Sequence, residues 1–142
     1  MANSEMMTPQ QIPVIKSSKL TITGTLLNCT GTLNSDDLCI YDHGDFIYCV
    51  GRIRITNYSR TGAAPGVTIK LPTGITVKNT LSINIGGSVA NENTAKPESV
   101  FITASAGSGD ITFRATETIG NLTGTARLTL HIPTTLIAIN HS

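Results

Sequence analysis

The chain has 142 residues, a formal net charge of +1 and only 13% charged side chains. That length makes one domain and buries a core without staples, while so small a charge offers a polyanion nothing, so no nucleic-acid partner is expected. No apolar run reaches the roughly 20 residues of a membrane-spanning helix, and no membrane partner is expected either. Thr, Ser and Asn fill the polar positions in place of charges. Such a surface suits an extracellular or virion shell protein better than a cytosolic enzyme.

Residues 1–18 read as an extended arm. Pro9 and Pro13 deny this stretch regular hydrogen bonding and favour an extended course. Its docking positions are Met6, Met7, Pro9, Ile12, Pro13, Val14 and Ile15. A terminal arm is held in place only by what it docks on: a partner chain is the simplest candidate, and its own domain is the alternative. The start lacks the basic stretch and continuous apolar run of a secretory leader, so export by the general route is not expected. The sequons at Asn28, Asn57, Asn121 and Asn140 are then incidental.

Residues 19–142 read as one domain of short strands. Leu20–Thr23 alternates, and Leu38–Tyr41 is a short apolar run. Asp42-His43-Gly44-Asp45 is a turn cluster that predicts an antiparallel hairpin. Cys29, Cys39 and Cys49 have no zinc-knuckle spacing and read as buried apolar thiols. A Cys29–Cys39 or Cys39–Cys49 bridge stays open if the strands are adjacent.

Asp45 to Thr56 carries the most information. Ile47, Cys49, Ile53 and Ile55 form one small or apolar face. The other face begins as Phe46, Tyr48 and Val50 and ends as Arg52, Arg54 and Thr56. Successive side chains leave a strand on opposite sides, so this strand has two different faces. The first is core. The second needs a cover, a second sheet or a neighbouring subunit, over its apolar half, and Arg52 and Arg54 mark where that cover ends.

A Gly/Pro/Ala loop follows at 62–66, then an alternating strand at Val67–Leu71 and another at Leu81–Ile85. Ser88–Ser99 reads as a polar connection. Strands at Val100–Ala104, Ile111–Ala115, Leu128–Ile132 and Leu136–Ile139 complete the set. No window shows a helical stripe. Roughly eight to ten short strands with such turns predict an antiparallel β-sandwich or a jelly-roll-like barrel.

No catalytic or metal site is expected, and no cofactor. His43, His131 and His141 suggest no common site, and no Gly-x-Ser-x-Gly elbow accompanies them. Asp36, Asp37, Asp42, Asp45 and His43 read as turn chemistry rather than a loop cation site, because their spacing fits no EF-hand. Gly86-Gly87 and Gly107-Ser108-Gly109 lack a following helix and a Lys, so they are turns.

The run Gly44 to Ile55, followed by Pro65-Gly66-Val67-Thr68-Ile69-Lys70-Leu71-Pro72-Thr73-Gly74, resembles the C-terminal head domains of bacteriophage tail fibres and receptor-binding proteins. Those heads show a Gly-Asn-x-Val-x-Val-x-Gly-x-Ile strand, a short loop and a Leu-Pro-x-Gly turn. The resemblance implies a homotrimer of small β-sandwiches on the virion surface, used in host attachment, with a host cell-surface glycan as a further partner. The arm would then dock on capsid, tail or baseplate proteins. A capsid decoration protein is the second reading, because a free arm suits docking. A pilin-like adhesin is a distant third: Gly24–Thr30 resembles pilin strands, but no leader is read here.

Overall fold

The computed structural model describes residues 18–86, 88–91, 99–115 and 127–142. Apart from Ser18, the arm and its docking positions from Met6 to Ile15 lie outside the described residues. Short alternating runs broken by Gly, Pro and Asn give twelve strands here: β1 (Ser18–Lys19), β2 (Thr23–Leu27), β3 (Cys29–Asn34), β4 (Leu38–Asp42), β5 (Phe46–Arg60), β6 (Gly66–Lys70), β7 (Ile75–Val77), β8 (Leu81–Gly86), β9 (Ser88–Asn91), β10 (Val100–Ala104), β11 (Asp110–Ala115) and β12 (Leu128–His141). The described residues contain no helix.

The strands form the two antiparallel sheets of a β-sandwich. One has the order β1-β4-β5-β12-β7, with β3 also on β5 and β9 also on β12. The other has the order β2-β6-β11-β10-β8. Fully buried Ile47, Cys49, Ile53 and Ile55 of β5 share one core with Ile69, Ile102, Ile111, Phe113, Leu128 and Leu130. Burying each large aliphatic side chain is worth roughly 1.5–3 kcal/mol before entropy is charged against it.

The long strands β5 and β12 are the spine of the first sheet. Each carries two short strands in line on its free flank. β4 pairs with Ile47–Gly51 and β3 with residues 54–60 of β5. β7 pairs with Ile139–His141 and β9 with Leu128–His131 of β12. The β4–β5 hairpin falls on the predicted turn: Gly44 N–H donates to Asp42 Oδ1 at 2.8 Å and His43 N–H to the Phe46 carbonyl at 2.9 Å.

Three local expectations are corrected. Leu20–Ile22 is not a strand: β1 and β2 belong to different sheets, so the chain must cross between them there. Residues 88–91, read as loop, form β9, because β12 offers them an open edge. Leu128–Ile132 and Leu136–Ile139 are one strand, β12, joined through a bulge.

That bulge sets which side chains point inward. Ile132 pairs with Gly51 but Thr135 pairs with Cys49, so β12 carries one extra residue there. An extra residue moves every following side chain to the opposite face. Before it, Leu128, Leu130 and Ile132 are buried; after it, Thr135, Ile137 and Ile139 are. The same happens in β5 at Asn57, whose φ of +51° is left-handed. Thr30 pairs with Ser59 and Thr32 with Thr56, and Tyr58 turns into the core.

Candidate assembly surface

The odd face of β5 is core, as its alternation predicts. The second sheet packs on that face, so it is not the cover over Phe46, Tyr48 and Val50. These three are half-buried on the outer face of the first sheet. Their cover within the described residues comes from the flanking strands and from His43 in the hairpin turn.

Cross-strand register assembles the patch. Tyr41 of β4, Tyr48 of β5 and Leu136 of β12 stand opposite one another in one row, with Lys19 of β1 next to Tyr41. Cys39 stands opposite Val50, and Phe46 opposite Ala138. The Tyr41 and Tyr48 rings stack with centroids 4.9 Å apart and planes at 23°. His43, in the hairpin turn, stacks on Phe46 at 5.1 Å and 9° and lies 4.9 Å from Tyr48 at 42°. Such pairs are worth about 0.5–1.5 kcal/mol each beyond area burial, and through them the rings join into one continuous aromatic plate. His43 Nε2 is shut off from water and has no hydrogen-bond partner among the described residues. Leu136 is 62% exposed, and with Ile83 it is one of two exposed large hydrophobic side chains among the described residues.

The Cys39 thiol sits beside the Tyr41 phenol. Its negative charge when ionised, and the hydrogen bond it shares, push the Tyr41 pKa up. Cys29, Cys39 and Cys49 are all free thiols, so neither candidate bridge forms. Cys29 and Cys49 are buried, while Cys39 is half-buried on the outer face.

The patch ends at Gly51, and the reason is a change of neighbours. Up to Gly51, β5 lies beside β4, whose outer residues are Cys39 and Tyr41. Beyond it β5 lies beside β3, whose outer residues opposite it are Asn34 and Thr32. Arg54 stands between Asn34 and Thr129, and Arg52 opposite His131. Cationic side chains therefore begin where the outer face becomes polar. Gly51 has φ +126°, and a Cβ on it would collide with the Asp37 carbonyl oxygen. That carbonyl accepts the Arg52 N–H at 3.3 Å, and Arg52 Nε donates to Asp37 Oδ2 at 2.8 Å. The Arg52 hydrogen bond and charge hold the Asp37 carboxyl below its ordinary value.

The acidic residues do not gather. Asp36 and Asp37 sit in the β3–β4 turn, while Asp42 and Asp45 flank the β4–β5 turn at the other end of β4. No group of three His, Cys, Asp or Glu able to hold a metal occurs among the described residues. His131 is exposed on β12, remote in register from His43. His141 meets Asp42, its Nε2 lying 3.1 Å from Oδ2, a contact 99 residues apart in the chain that no local pattern signals. Two surface depressions, of about 370 and 270 Å³, are lined by neither His nor Cys.

Of the candidates, register brings Phe46, Tyr48 and Val50 into one plate and sets Arg52 and Arg54 at its border. Tyr41, His43 and Leu136 belong to the same plate and were not singled out from sequence. The signal for Tyr41 and His43 was the hairpin itself, which folds them back onto Tyr48 and Phe46. Leu136 carried no such signal, because its face depends on the bulge. Comparison of the chain with family models and curated proteins, and of its fold with solved structures, finds no match.

Proposed function

We propose that the chain is a non-enzymatic structural protein of a bacteriophage virion surface, a homotrimeric head used in host attachment. The observation that supports self-association is the aromatic plate of Tyr41, Phe46, Tyr48 and Leu136, apolar at its centre and bordered by Lys19, Arg52 and Arg54. An apolar centre inside a polar rim is the usual anatomy of a protein contact. The bacteriophage assignment rests on the resemblance of the Gly44–Ile55 strand and the Pro65–Gly74 loop and turn to tail-fibre heads.

Light-scattering mass of the full chain at micromolar concentration tests the assembly. The expected result is three chains for the natural sequence and one for the double variant Tyr48→Ser, Leu136→Ser. A monomeric natural chain would sink the proposal. Attachment is tested by incubation with isolated bacterial cell walls, which should deplete the trimer from solution; walls that leave its concentration unchanged overturn that part.

A further inference from the structure

We propose that the outer face of the second sheet, over β8, β10 and β11, binds a neutral oligosaccharide. The proposal rests on the attachment reading above and names the ligand class and the face that holds it. That face lies on the opposite side of the sandwich from the aromatic plate.

Register lines up hydroxyls across this sheet. Thr25 of β2, Thr68 of β6, Thr112 of β11, Thr103 of β10 and Ser82 of β8 stand opposite one another in one row. Side chains alternate along each strand, and the adjacent Ile69, Ile102, Ile111 and Phe113 are fully buried, so the row faces outward. It crosses all five strands at about 4.8 Å per step. Thr68 Oγ1 and Thr112 Oγ1 lie 3.1 Å apart, within hydrogen-bond distance.

At β10 and β11 the row enters a depression of about 270 Å³. Thr103 and Thr112 line it together with Thr80, Ser105, Ser108 and Asp110. The β10–β11 turn that borders it is tied down. Val77 N–H donates to the Ser108 carbonyl, Gly107 N–H to the Val77 carbonyl and Leu71 N–H to the Gly109 carbonyl, each at 2.8 Å. Thr80 Oγ1 accepts the Ala106 N–H at 3.1 Å, and Ser108 Oγ accepts the Asp110 N–H at 3.0 Å. A hydroxyl whose oxygen accepts still has its own O–H to donate. The Asp110 carboxylate is exposed and only accepts.

This donor and acceptor set selects the ligand. A sugar hydroxyl both donates and accepts, so it uses the Ser and Thr O–H groups and the carboxylate together. An anion would meet the Asp110 charge; Lys70 stands opposite Asp110 on β6 but does not line the depression. A hard cation wants about six or more oxygen ligands and would find one carboxylate. The same face also offers an aromatic ring. Phe101 stands two residues from Thr103 on β10, about 6.6 Å along the strand, with Arg114 and Asn84 opposite it on either side. Arg114 Nε donates to the Ala64 carbonyl at 3.1 Å, which fixes its side chain beside the ring. A sugar held at Asp110 places the next unit over Phe101, whose ring takes its C–H face. The ligand is therefore at least a disaccharide.

NMR titration of the full chain with cellobiose, lactose and chitobiose tests the site. The expected result is saturable shifts of the Thr103, Asp110 and Thr112 amides and the Phe101 ring with at least one of the three, and none with glucuronic acid. Asp110→Asn, at an unchanged urea midpoint, should weaken that binding about tenfold. Phe101→Ser should reduce the disaccharide to the affinity of its methyl monosaccharide. No shift with any of the three, shifts confined to other residues, a preference for glucuronic acid, or binding unchanged in Asp110→Asn overturns the proposal. Isolated cell walls separate it from the attachment reading. Walls that deplete the natural chain and the double variant Asp110→Asn, Phe101→Ser equally sink the site and leave attachment standing. Walls that deplete neither, with sugar shifts still seen at Thr103 and Asp110, sink attachment and leave the site standing.

Discussion

Thr135 Oγ1 donates a 2.8 Å hydrogen bond to the carbonyl of Pro133, two residues back in the same strand. This bond sits at the bulge that turns β12 over. It satisfies a hydroxyl that the turn-over points inward, where Thr135 is only 9% exposed. Pro133 suits the place because it has no N–H to offer the ladder, and no pairing with β5 involves it.

Inserting one alanine between Thr135 and Leu136 would shift every following residue by one. Ile137 and Ile139 would then face water, and Leu136 and Ala138 would face the core. The expected outcome is loss of the cooperative unfolding transition in urea. The milder Thr135→Val gives up only the hydrogen bond and should lower stability by about 1 kcal/mol with an unchanged urea slope.

Gly51→Ala should cost about 2–4 kcal/mol in urea unfolding, from a left-handed φ together with the collision at the Asp37 carbonyl. The neighbouring Val50→Ala sits on the outer face and should cost clearly less. Equal losses for the two would refute the close approach of Gly51 to the Asp37 carbonyl.

Burial pushes the Cys49 thiol up to about 12 and raises the Cys29 thiol as well. At pH 8 the native protein should therefore give one fast-reacting thiol, Cys39, and three after unfolding in guanidinium. The sign of the pH dependence follows. An unfolded Cys49 ionises near its ordinary 9.0, whereas the folded one stays protonated to about 12. Stability is thus intact below 9 and falls as pH rises toward 12. Cys49→Ala should flatten that alkaline slope relative to the natural chain.

Arg52→Ala should let the Asp37 carboxyl return toward its ordinary 3.8, read by carboxylate NMR titration. A carboxyl held low in the folded state favours folding above its ordinary value and loses that advantage as pH falls through the lowered one. The stability difference between the natural chain and Arg52→Ala should therefore shrink in acid below about pH 4. Because the pair is exposed, added salt should shrink it too.

Read locally, the chain specifies an antiparallel β-sandwich or jelly-roll-like barrel of short strands, with Ile47, Cys49, Ile53 and Ile55 as the core face of β5 and Asp42–Asp45 closing a hairpin. Those features are local: a period of two fixes faces, and turn residues fix reversals. Tertiary structure alone decided that β4 hands β5 over to β3 at Gly51, which is why Phe46, Tyr48 and Val50 give way to Arg52 and Arg54. It alone decided that residues 88–91 pair with β12, that a bulge after Pro133 sends Leu136 outward, and that His141 reaches Asp42. These depend on register between segments far apart in the chain. A one-residue offset reverses a strand's faces while leaving its local composition unchanged.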